Sequence, residues 1–109
     1  MNKITHNSNN LQLINPATDI LFAEFQLLNI LQIEEIAVKS RNTFLEWKKS
    51  TFNEREELIH NIIKYFEENK NSIAEDITKQ MGRPISHSIN EVNGAIYRMN
   101  GLVDIFRNA

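Results

Sequence analysis

The sequence predicts a mostly α-helical chain with a short β-hairpin near its N-terminus. Three observations lead there. Apolar and polar residues alternate on both sides of an Asn-Pro turn within residues 11–27. From Ile30 onward the apolar spacing changes to three and four. Asn, Gly and Pro then punctuate that spacing at the places where helices begin and end.

Residues 1–10, "MNKITHNSNN", offer little to bury and predict a disordered lead. Leu11 and Leu13 then alternate with polar neighbours, and Ile14-Asn15-Pro16-Ala17-Thr18-Asp19 supplies turn chemistry. Leu21, Ala23, Phe25 and Leu27 alternate in turn with Phe22, Glu24 and Gln26. The result is a hairpin over 11–27, which needs a covering element because an isolated two-stranded hairpin is marginal in water.

Asn29 predicts the N-cap of a helix over 30–47 with Ile33, Ile36, Ser40, Phe44 and Trp47 on one face. Phe44 and Trp47 are expected to anchor a core. "KKSTFN" breaks that helix, and Asn53 predicts the cap of another over 53–68. Glu54, Glu56 and Glu57 would then meet the positive end of the helix dipole. Its apolar face is Leu58, Ile59, Ile62, Ile63 and Phe66. "ENKN" weakens the pattern before Ile73, Ala74, Ile77 and Met81 resume it over 71–82, giving either one kinked helix or two short ones. Gly82 follows the last periodic residue and Pro84 comes two later, the usual order for a helix stop.

The final helix, over 85–107, is the most regular: Ile85, Ile89, Val92, Ile96, Met99, Val103 and Phe106 alternate by four and three. That stripe is long enough for a coiled coil. Gly94 and Gly101 argue otherwise, since each costs about 1 kcal/mol relative to Ala inside a helix. The pair predicts another element passing close to the backbone. Leu102 and Ile105 widen the apolar surface beyond a two-stranded seam, so the helix is expected to be buried in a globular body.

A length of 109 residues, 41% hydrophobic and 24% charged, bounds the chain to at most one small domain. The formal charge is -2 and no basic tract exceeds Lys48-Lys49, which points away from nucleic acid. No apolar run approaches the ~20 residues that cross a bilayer, and a cytoplasmic location is expected. The absence of cysteine removes disulfides, thiolate metal sites and thiol nucleophiles together. Frequent Ile and Asn suit an AT-rich bacterial genome.

The residues themselves offer no catalytic, cofactor-binding or metal site. His6, His60 and His87 lack metal-ligand spacing on a common face. Ser86-His87-Ser88 resembles a nucleophile and base only on paper, because adjacent helical residues point in different directions. Glu54, Glu56, Glu57, Glu67, Glu68, Glu75 and Asp76 read as a solvated surface. With glycine only at 82, 94 and 101, neither a dinucleotide fingerprint nor a P-loop can be written.

The order of the pieces carries more than any one of them. "INPAT", a strand ending in "AEF", a helix ending in "FLEW", then "NEREELIHNIIKYFEENKNSIAEDITKQMGRP" and "EV" in a last helix resemble the start of an aldehyde dehydrogenase. The matching positions are Asn15, Pro16, Thr18, Phe44, Trp47, Glu54, Arg55, Gly82, Arg83, Pro84 and Glu91, spread over Leu11 to Ala109. "MGRPISHSINEVNGAIYR" is similar to one bacterial branch of that superfamily. Asp19 stands where the family usually has Gly in the hairpin turn, and Gln80 replaces a common acidic or small residue.

The resemblance implies an incomplete, N-terminal part of an α/β cofactor-binding domain over 11–109. The family oxidises aldehydes to acids: a cysteine thiolate attacks the carbonyl, hydride passes to NAD or NADP, and a glutamate-activated water hydrolyses the thioester. None of those groups maps onto a residue here, so no cofactor is expected in this chain alone. Some members hold a monovalent cation, and the corresponding ligands would be the Ile14 backbone carbonyl and Glu91. The expected role is scaffolding in a truncated or split dehydrogenase. The expected partner is the remainder of that enzyme or another subunit. The alternative is a helical interaction module that binds a dehydrogenase subunit or itself.

Overall fold

A computed structural model describes residues 9–109. Of the expected disordered lead over residues 1–10, residues 1–8, with His6, lie outside the described residues, while Asn10 is ordered in a strand. The chain divides into two units, one ending at Lys49 and one spanning Ser50–Ala109.

The first unit holds the expected hairpin. Strands β1 (Asn10–Asn15) and β2 (Ile20–Gln26) pair antiparallel. Pairing thus begins at Asn10, one residue earlier than the alternation of leucines suggested. Asn15 organises the turn: its side-chain oxygen accepts from the Ala17 N–H at 2.9 Å, and its carbonyl accepts from Asp19 at 2.8 Å. Asp19 closes the turn at φ 56°, in the left-handed region where a short polar side chain is tolerated. A register shift at Leu13/Ile14 leaves Phe22 as the extra residue on β2. A bulge of this kind resets which side chains share a face.

Helix α1 (Ile30–Trp47) has the predicted bounds, and its start is the predicted one. The Asn29 side chain accepts from the Gln32 N–H while the Gln32 side chain accepts from the Asn29 N–H, both at 2.9 Å. No residue of α1 is buried. Phe44 and Trp47 are 48% and 42% exposed, so the expectation that they anchor a core is corrected.

The second unit is three helices: α2 (Phe52–Glu68), α3 (Lys70–Met81) and α4 (Ile85–Arg107). The cap of α2 is Thr51, two residues before the predicted Asn53. Thr51 and Glu54 form a capping box: the Thr51 N–H donates to the Glu54 carboxylate at 2.6 Å, and the Glu54 N–H donates to the Thr51 hydroxyl at 3.3 Å. A Thr followed three residues later by Glu satisfies two orphan donors, which Asn53 could not do from inside the helix.

"ENKN" resolves into two helices. Asn69 ends α2, with its backbone N–H donating to the Tyr65 carbonyl at 3.0 Å, and its own carbonyl accepts from Ile73 at the start of α3. Gly82 ends α3 at φ 69°, and its N–H donates to Thr78 at 2.8 Å. Only glycine takes that left-handed cap without cost. Pro84 then opens α4.

The core is small: Ile63 on α2, Ala74 on α3, and Val92 and Val103 on α4, with Ser88 buried beside them. The predicted stripe of α4 is therefore covered in part. Ile85 and Phe106, at its ends, stay 45% and 67% exposed. The close approach expected at the two glycines is not found: a Cβ at Gly101 would meet nothing, and one at Gly94 would meet only the flexible Arg98 guanidinium at 3.2 Å.

Gly101→Ala is accordingly expected to stabilise the chain by about 1 kcal/mol, the difference in helix propensity. Thr51→Ala is expected to cost about 1 kcal/mol through loss of the cap. Denaturant unfolding followed by far-UV circular dichroism measures both. A destabilising Gly101→Ala would show that α4 needs its bare backbone.

Candidate functional site

The second unit carries an apolar groove of about 580 Å³. Its walls come from α2 as far as Ile62 and from the last turns of α4, including Phe52, Ile59, Ile62, Met99, Leu102 and Phe106. The helical spacing of these residues puts them on facing sides. The Phe52 and Phe106 rings stack at 5.0 Å between centroids with 17° between their planes. Arg55 is the one charged residue in the lining, and its Nε donates to the Ser50 hydroxyl at 2.8 Å.

A charged tie joins the same two helices. Arg107, in the last turn of α4, donates from Nη2 to the Glu56 carboxylate on α2. His60 Nε2 lies 3.5 Å from the same carboxylate, one helical turn along α2. The hydrogen bond from Arg107 is the main reason the Glu56 carboxyl lies below the usual glutamate range, against a smaller opposing effect of burial. Arg107 is raised by the same bond. Glu54 is also lowered, first by the Thr51 backbone N–H and then by its hydroxyl.

Where α3 meets α4, the Thr78 and Ser88 hydroxyls share a 2.8 Å hydrogen bond, and Ser88 is fully buried. Ser88 is thus packed in the seam between the two helices, a position the sequence did not reveal. The available signal was its spacing of four from both Pro84 and Val92 on the apolar face. Arg83 Nη1 donates to Glu91 Oε1 at 3.0 Å, joining two of the positions singled out in the sequence. With the Arg83 and Glu91 side chains 35% and 55% exposed, such a pair is worth about 0–1 kcal/mol. It orients the corner more than it stabilises it.

The other singled-out positions are structural in kind. Asn15 and Pro16 build the hairpin turn, Phe44 and Trp47 lie on the open face of α1, and Gly82 and Pro84 make the corner. Ile14 lies in the first unit, opposite Leu21, and Glu91 lies in the second. The three glycines sit at a helix cap and inside α4, not in a loop that could cradle phosphates. No group of three or more His, Asp or Glu able to hold a metal ion occurs among the described residues. No helix among them is long and apolar enough to cross a membrane.

Comparison with known proteins adds one consistent result. Residues 4–108 match the profile of the Aldehyde dehydrogenase family. A Staphylococcus haemolyticus protein named "Putative aldehyde dehydrogenase" is 31% identical over 80 residues, covering 73% of this chain and 17% of its own length. A Staphylococcus aureus protein of the same name is 30% identical over 86 residues, 78% of this chain and 18% of its own. One from Staphylococcus epidermidis is 31% identical over 80 residues, again 17% of its length. The chain spans less than a fifth of these relatives.

Two variants probe the joints. Ser88→Ala removes the partner of a part-buried Thr78 hydroxyl and is expected to cost about 1 kcal/mol in denaturant unfolding. Glu56→Gln is expected to lower the unfolding midpoint at neutral pH. A carboxyl depressed in the folded state stabilises above its unfolded value of about 4.3 and loses that contribution as pH falls through the folded value. The difference between wild type and Glu56→Gln is therefore expected to shrink as pH falls below the unfolded value and to close once the pH lies below the depressed folded value. A gap that persists in acid would refute the tie.

Proposed function

The chain belongs to the aldehyde dehydrogenase family, and from that premise we propose that it is an N-terminal structural segment of such an enzyme. On this reading it forms part of the α/β cofactor-binding domain and braces it. The parent reaction would be the NAD(P)-dependent oxidation of an aldehyde to a carboxylic acid. The observation that carries the proposal is the open apolar groove between α2 and α4, in a chain spanning 17–18% of its relatives' length. Apolar surface of this extent is normally packed against something.

The chemistry supports a bracing role. The family's thiolate nucleophile has no counterpart in a sequence without cysteine. NAD or NADP, where bound, would accept the hydride. The polypeptide that supplies the nucleophile and the nucleotide loop is then the partner of this segment. We place the parent in the cytoplasm, where a fold without disulfides is at no disadvantage.

The pure chain is expected to produce no NADH from aldehyde and NAD, followed by NADH absorbance; measurable turnover would overturn the proposal. The same groove favours the alternative of self-association. Light scattering is expected to show association that Leu102→Asp and Ile105→Asp reduce, since those side chains are 65% and 68% exposed. Discrete dimers of wild type would favour the interaction module, and a clean monomer would count against it.

A further inference from the structure

We draw no further inference here: the strongest candidate, the apolar groove between α2 and α4 with Arg55 in its wall, carries none, because nothing in the structure shows what covers it beyond the packing role already proposed.

Discussion

The corner at Gly82-Arg83-Pro84 is the constraint on which the second unit depends. A left-handed Gly82 stops α3, and Pro84 sets the direction in which α4 leaves. The turn brings Thr78 and Ser88 within 2.8 Å, and the small side chains of Ala74 and Ser88 allow both to be fully buried. A larger residue at either place would have to move a helix, because interiors are close-packed. The path of α4 past α2 follows from that seam. At its far end the Phe52–Phe106 stack and the Arg107–Glu56 tie hold α4 to the start of α2.

That arrangement leaves little core. Four apolar residues are buried among the described residues, while Leu102, Ile105 and Phe106 remain well exposed. A unit of this size rarely obtains more than roughly 3–5 kcal/mol from one core. In the first unit no described residue is buried at all. An 18-residue helix is close to the length at which helices are marginal alone, and a two-stranded hairpin is weaker still. Local signals such as the Asn29 capping box define these elements, while their large apolar residues stay exposed.

Local structure was legible in the sequence to the extent that it was encoded locally. The bounds of α1 and α4, the Gly82 stop and the strained Asp19 turn all rest on caps, spacing and φ preferences within a few residues. The start of α2 was misread because Asn53 is as good a cap by residue type as Thr51; the reciprocal Glu54 bond decides between them. Tertiary facts were hidden. Gly94 and Gly101 suggested another element close by, yet a Cβ at Gly101 would meet nothing and one at Gly94 would meet the Arg98 guanidinium of the same helix. Phe44 and Trp47 have the composition of core residues without the enclosure. The Arg107–Glu56 tie spans 51 residues and has no sequence signature. The candidate site was foreseen only as an apolar stripe, since which part of a stripe stays open depends on the packing of other helices.

The central claim is that the last turns of α4 are completed by polypeptide outside this chain. Amide hydrogen exchange tests it directly, by comparing the isolated chain with the same chain joined to the remaining sequence of a staphylococcal relative. The account predicts that amides from Met99 to Arg107 slow by about tenfold or more on joining, the equivalent of roughly 1.4 kcal/mol. Full protection of those amides in the isolated chain, unchanged on joining, would contradict it.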